Sequence, residues 1–409
     1  MRIWLTFKKS AMLERKKIEE LTPSSILRWF EEFIELTLNE KRLRIINVFF
    51  LLVFGAILSV IVWSRPGYHW DMIPYAAVTL DDGSTSAHEL HARAWSSVES
   101  HVPERWLVEL RGEKGSFRDV QYRDPDKFVT MLPLYEVKLG YVLTLKAMSQ
   151  FADPIQAIKI VNIISLWIII GTIFASSIYI NGIMRFVWLP ILGSLDFINM
   201  IRFESPDAMS IALSVAGALF ICRGRLLFGA ILLIACLVTR PDNIFLCIAT
   251  GGAFLLFSPR LGLILLVASA VAYFSVSEFV GHIGWWRHFN YTLVETPDTL
   301  QGYFPPFSIS LYVGTLANNL AFLLAKLTWP YTVLLLILVL MMVRGRGVGD
   351  FFVVLAISAF MGFIAKFIVF PFPTMRLYAP NIYMIALILV YSINEYRKDR
   401  DIDVGPLRE

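Results

Sequence analysis

Residues 45–63 read IINVFFLLVFGAILSVIVW, a run with no charged side chain. A helix rises about 1.5 Å per residue, so this run is about 28 Å long, close to the hydrocarbon thickness of a bilayer. The 44 residues before it are too long and too charged for a secretory leader, and no small-residue cleavage site follows. The run therefore reads as a retained first span. Outward from it lies a long polar stretch, 64–153. Apolar runs then recur at 155–180, 186–201, 207–222, 226–239, 243–257, 261–279, 328–343, 351–369 and 377–394. The pattern predicts an all-α polytopic membrane protein. It has about ten transmembrane helices and a large first extracytoplasmic loop, 64–153, containing membrane-surface helices.

The composition agrees. Of 409 residues, 56% are hydrophobic and 17% charged, against about a quarter charged in soluble domains. A mean hydropathy of +0.62 requires many apolar side chains that face lipid. The net charge of +4 is small for this length and implies no nucleic-acid partner. Cys222, Cys236 and Cys247 lie in or beside apolar runs without a Cys-x-x-Cys spacing, and read as buried thiols.

Lys and Arg in short loops set orientation. Segment 1–44 carries Lys8, Lys9, Arg15, Lys16, Lys17, Arg28, Lys41, Arg42 and Arg44. Alternation puts Arg185, Arg223, Arg225, Arg260, Arg344, Arg346 and the tail 395–409, with Arg397, Lys398 and Arg400, on the same side. Both termini are thus expected in the cytoplasm of a bacterium, with the chain in its inner membrane. Loops 64–153 and 280–326 are expected outside. Residues 24–38 place Ile26, Leu27, Phe30, Phe33 and Ile34 at helical spacing, an interfacial helix capped by Ser24 or Ser25. Counting 133–151 as a span would put the cytoplasmic arginines outside, so it reads as a helix on the outer surface. Segment 310–326 is open to the same reading.

Charges stand where short outer loops should be poor in them: Arg202 with Glu204 and Asp207, Arg240 with Asp242, and Arg376. Such charges line a cavity or substrate path, or else form salt bridges and snorkel to headgroups. Three on one face favour the cavity. Arginine suits phosphate because its planar fork donates two hydrogen bonds and stays charged. His69-Trp-Asp71-Met-Ile-Pro-Tyr75 follows the first span. A carboxylate there can accept a proton from a hydroxyl within reach; a helix-capping or interface role for Asp71 is the alternative.

Several features in order resemble the GT-C glycosyltransferase superfamily. They are Asp71 early in the first outer loop, Leu132-Pro-Leu-Tyr135 before the surface helix, Pro206-Asp207, Arg240-Pro-Asp242, and Arg376 before the last span. The resemblance covers most of 45–394. It implies an inverting enzyme that moves a sugar from a polyprenyl-phosphate donor to a glycan, lipid or protein acceptor in membrane lipid, on the periplasmic face. It implies Asp71 as catalytic base, and Arg376, Arg240 and Lys138 as donor-phosphate ligands. Arg202, Glu204, Asp207, Asp242, His69, Tyr75 and Tyr135 are further cavity candidates. In that family a Lys often precedes the Pro of the surface helix. Leu132 stands there instead, and Lys138 is the substitute. No cofactor is assigned, and a divalent cation, Mg or Mn, stays open.

Other signals are weaker. His88 and His91 are one residue short of H-E-x-x-H, so no metal is assigned. Tyr122-Arg-Asp124-Pro-Asp126 reads as a contact site or a solvated turn. Trp285, Trp286, Arg287 and His288 read as an interface belt more than a sugar platform. Asp196, inside the third span, lines the cavity or bonds a neighbouring helix. The competing function is a multi-span transporter or flippase of a lipid-linked or anionic substrate. No internal repeat is visible and the charges gather at one face, which favours the enzyme. A lipid acyl- or phosphotransferase would use a histidine inside a span, and none lies there.

Overall fold

The computed structural model describes residues 40–178, 180, 185–344 and 350–403, without side chains at 343–344 and 393–403. The expected interfacial helix 24–38, the basic residues from Lys8 to Arg28, Arg346 and residues 404–409 lie outside the described residues. So do the side chains of Arg344, Arg397, Lys398 and Arg400.

Among the described residues every regular element is a helix. Helix α1 (Glu40–Ser64) leads into a run of shorter helices: α2 (Met72–Leu80), α3 (Ala87–His101), α4 (Glu104–Arg111), α5 (Phe117–Arg123), α6 (Pro125–Val129), α7 (Pro133–Glu136) and α8 (Leu139–Met148). The bundle continues with α9 (Pro154–Ser177), α10 (Trp188–Ser194), α11 (Phe197–Arg202), α12 (Asp207–Cys222), α13 (Leu226–Thr239), α14 (Ile244–Phe257) and α15 (Pro259–Val280). It ends with α16 (Trp285–Leu293), α17 (Ile309–Lys326), α18 (Trp329–Arg344), α19 (Phe351–Val369) and α20 (Met375–Asp403).

Six helices are long and apolar enough to cross a membrane: α1, α9, α15, α17, α19 and the first part of α20. A seventh is added if the bent segment 125–148 is one span, but its halves meet at 108°. Helices α12, α13, α14 with its leading turn, and α18 are apolar but shorter. The outward surfaces match. Phe274 and Phe279 on α15 are 68% and 81% exposed, and apolar surface of that extent is stable against lipid rather than water.

The expected span 186–201 is not one helix. It is α10 and α11 with a break at Asp196, which adopts a left-handed conformation with φ 48°. The Asp196 carboxylate accepts from Asn199 Nδ2 at 2.7 Å, a local bond that favours the turn over a continuous helix. The two pieces still run the length of α1. Arg185 pairs with Glu40 at its start, and Arg202 Nε donates to Arg65 O just past its end, at 2.8 Å.

Two hairpins pack through glycines. A Cβ on Gly229 of α13 would lie 2.3 Å from Ile221 Cγ1 and 2.9 Å from Gly217 O. One on Gly262 of α15 would lie 2.6 Å from Leu255 N. Without aqueous exclusion between helices, close backbone approach supplies the dispersion energy that holds them. Helix α20 is the most buried spanning helix, against α12, α18 and α19.

Helices α2 to α8 have their own core. Trp70, Met72, Tyr75, Trp95, Phe128, Tyr141 and Leu145 pack onto Ile155, Ile158 and Val161 in the first turns of α9. Tyr75 meets Tyr135 and Tyr141 edge-on at 5.1 and 5.0 Å, each pair adding about 0.5–1.5 kcal/mol beyond burial. The second polar loop docks on this layer: Gln121 Nε2 donates to Asp298 O and Leu300 N donates to Thr130 Oγ1.

Candidate functional site

The chain leaves α1 through a turn stapled to the segment after α11. Gly67 N donates to Arg202 O at 3.1 Å. The Glu204 carboxylate accepts Tyr68 N and His69 N, both at 3.0 Å, and so holds Tyr68 at φ 50°. Burial pushes the Glu204 carboxyl up, against the opposing pull of those N–H groups. The staple delivers Asp71 to the start of α2. Its side chain makes no capping bond there, so the capping alternative does not account for it.

Asp71 turns instead to α20. Arg376 Nη2 donates to Asp71 Oδ2 at 2.8 Å. Arg376 Nε donates to Asp207 Oδ2 at 2.7 Å, and its guanidinium lies 4.5 Å over the Phe203 ring. Arg240 bonds the other Asp207 oxygen and reaches Asp242 at 3.1 and 3.2 Å. Lys366 closes the series, 2.8 Å from Asp242 Oδ2, and also donates to Asn243 Oδ1 and Leu377 O at 3.0 and 2.7 Å. Three carboxylates and three cations thus alternate from α2 to α19. Asp207 has a fully buried side chain and its charge is met by two arginines and the Ser205 hydroxyl, 2.7 Å away. A buried charge left unpaired would cost several kcal/mol, roughly 3–5.

Asp71 is enclosed further. Tyr135 Oη donates to Oδ1 at 3.3 Å, and His69 Nδ1 lies 3.2 Å from Oδ2. His69 Nε2 is 3.4 Å from Arg376 Nη1. Asp71 N donates to the same Nδ1 at 3.3 Å, so the His69 ring is clamped between the Asp71 backbone, its carboxylate and Arg376. Burial alone would push the Asp71 carboxyl up. Arg376 and His69 outweigh it and hold the carboxyl well below the usual carboxylate range. The expected cleft between Asp71 and Arg376 is closed: the two side chains touch, and each is about one-fifth exposed.

Lys138 sits at the kink between α7 and α8. Gly140 brings that kink to the end of α13, where a Cβ would lie 3.0 Å from Thr239 N. Its ammonium donates to Leu134 O and, among the described residues, makes no ion pair with a carboxylate, unlike Arg240, Lys366 and Arg376. Burial lowers it to about 8, helped by repulsion from Arg240. His288 of α16 lies near enough to feel Lys138. Burial first, and then that charge, bring it down to about 3, so its imidazole is neutral.

Of the residues singled out in the sequence, the structure brings together Asp71, His69, Tyr135, Asp207, Arg240, Asp242 and Arg376. Tyr75 packs beneath, on Tyr135. Glu204 acts on the backbone of the turn. Arg202 stands apart, donating to Arg65 O, Pro66 O and Asn199. Lys366 was missed, although a lysine inside the run 351–369 is itself a signal. His91 bonds Gln121 O within the outer layer. Among the described residues no three His, Cys, Asp or Glu side chains converge to hold a metal, and each cluster carboxylate is already paired with a cation. With those pairs closed, no carboxylate of the cluster is left over to ligate Mg or Mn.

No family model matches the chain, and neither does any curated protein or solved structure.

Proposed function

We propose that the chain is an inverting glycosyltransferase of the GT-C type. It moves a sugar from a polyprenyl-phosphate donor to a glycan, lipid or protein acceptor on the periplasmic face of a bacterial inner membrane. The observation that carries this is the direct contact of Asp71 with Arg376, at the end of the bundle where Asp207, Arg240, Asp242 and Lys138 also gather. A carboxylate beside guanidinium groups under a layer of polar helices has the two functions that sugar transfer from a lipid phosphate needs. One group accepts a proton, and others stabilise the charge on a leaving phosphate.

In this reading α12, α13, α14 and α18 also cross the membrane, α10 with α11 form one broken span and α17 lies on the outer surface, which gives ten spans with both termini cytoplasmic. The kinked 125–148 lies on the outer surface. The donor's phosphate meets Arg376, Arg240 and Lys138. The acceptor hydroxyl attacks the anomeric carbon from the opposite side and Asp71 takes its proton. The anomeric C–O bond breaks, and the lipid phosphate departs with the electron pair. The sugar is inverted at that carbon.

The break at Asp196 is the feature a transporter would use, but its carboxylate is engaged by Asn199 and lies apart from the cluster. The test is incubation of the purified protein with a panel of polyprenyl-phosphate sugars, following release of free polyprenyl phosphate. Release with a matching acceptor supports the reading. Absence of release across the panel, with intact lipid moved between leaflets of a vesicle, supports the transporter.

A further inference from the structure

The closed pair at Asp71 has a consequence for the order of events. Both carboxylate oxygens are engaged, Oδ2 by Arg376 and His69 and Oδ1 by the Tyr135 hydroxyl. A carboxylate so held is ionised, but the cation beside it makes it a weak proton acceptor. Arg376 is held unequally. Its Nε end is fixed on Asp207, whose side chain is fully buried and whose second oxygen belongs to Arg240. Its Nη edge carries the bonds to Asp71 and His69. That edge can change partner while the Nε anchor stays.

We propose that the donor's phosphate unmasks the base: it takes the Nη edge of Arg376, Asp71 loses that partner, and only then does Asp71 accept the acceptor's proton. Donor therefore binds before acceptor, and Arg376, which touches both the donor's phosphate and Asp71, couples the two steps. The inference rests on the glycosyltransferase reading of the site. A phosphate matches the guanidinium fork with two charge-assisted bonds. Its negative charge beside Asp71 raises the carboxylate's proton affinity, in the same direction as the lost arginine contact.

The other groups facing Asp71 do not replace that contact. Tyr75 of α2, Tyr135 of α7, Tyr141 of α8 and Tyr291 of α16 are neutral hydroxyls with their ionisation pushed up by burial. Lys138 acts at longer range. After transfer the proton is on Asp71 and the free lipid phosphate is on Arg376. When that phosphate leaves, Arg376 returns and expels the proton, which resets the site.

Difference infrared spectroscopy on the full-length protein in lipid nanodiscs tests this, with sugar-free polyprenyl phosphate as probe. The Asp71 carboxyl band is assigned by its loss in Asp71→Asn. With the probe bound, a protonated-carboxyl band grows as the pH falls from about 7 toward 5, near the ordinary carboxylate range. Without probe it stays absent over the same range. Folded Arg376→Gln shows the band with no probe at all. Probe that binds, as tryptophan fluorescence reports, while the band is the same with and without it overturns the inference and leaves the glycosyltransferase reading standing. Probe that fails to bind overturns both.

Discussion

Arg376 Nη2 lies 2.8 Å from Asp71 Oδ2, although 305 positions separate the two residues in the chain. The contact ties the turn after the first helix to the start of the last. It brings an acid and a base into one site that neither local segment contains. On the proposed function, replacing Arg376 with Gln removes a ligand of the donor's phosphate and frees Asp71 together. We expect sugar transfer to fall by about 10²–10³, the usual loss for a group that stabilises transition-state charge. Steady-state kinetics should put most of that loss in kcat/KM for the donor; an unchanged kcat/KM contradicts the assignment.

Lys138 gives the site a pH dependence of definite sign. Its ammonium is protonated below about 8 and loses its charge as the pH rises through that value. Affinity for polyprenyl phosphate should therefore drop on the alkaline side, by about 10–100-fold, the worth of a hydrogen bond to a charged group. Equilibrium binding across the range checks it. Lys138→Arg keeps its charge and should flatten the curve.

Lys366 is 1% exposed and holds Asp242, Asn243 and Leu377 O at once. Lys366→Met leaves Asp242 with half its compensation, and we expect a loss of about 3 kcal/mol in unfolding measurements. The double variant with Asp242→Asn should recover more than half of it, since no uncompensated charge remains. Simple additivity of the two single losses would show that the pair is not coupled.

The glycine contacts separate packing from propensity. Gly229→Val drives a side chain into Ile221 and the Gly217 carbonyl, and should cost about 1–3 kcal/mol through overpacking. Gly252, on α14, has open space where a Cβ would stand. Gly252→Ala should be neutral or slightly stabilising, since alanine favours helix. Thermal unfolding in detergent compares the two.

Much of this was legible because charge is conspicuous at the end of an apolar run. Arg240, Arg376 and Asp207 announce themselves that way, and Asp71 by its place after the first span. Other features depend on tertiary packing. Arg202 looks like Arg240 in sequence, each with an acidic residue two positions on, yet it is spent on backbone carbonyls. Lys366 lies three residues from the end of its run, where a lone lysine reads as one that snorkels to the interface. Only the packing of α19 against the turn at 241–243 turns it inward. The break at Asp196 follows from a left-handed residue and one side-chain bond, with Pro190 and Gly193 nearby as faint hints. The closed state of the Asp71–Arg376 pair had no local signature at all.

The most direct measurement compares wild type with Asp71→Asn for release of free polyprenyl phosphate from a polyprenyl-phosphate sugar, with binding of the lipid followed in parallel. The variant should bind the lipid within a few-fold of wild type and transfer sugar about 10²–10⁴ times more slowly, the range for loss of a general base. A folded Asp71→Asn protein that transfers sugar at the wild-type rate contradicts the role given to this carboxylate.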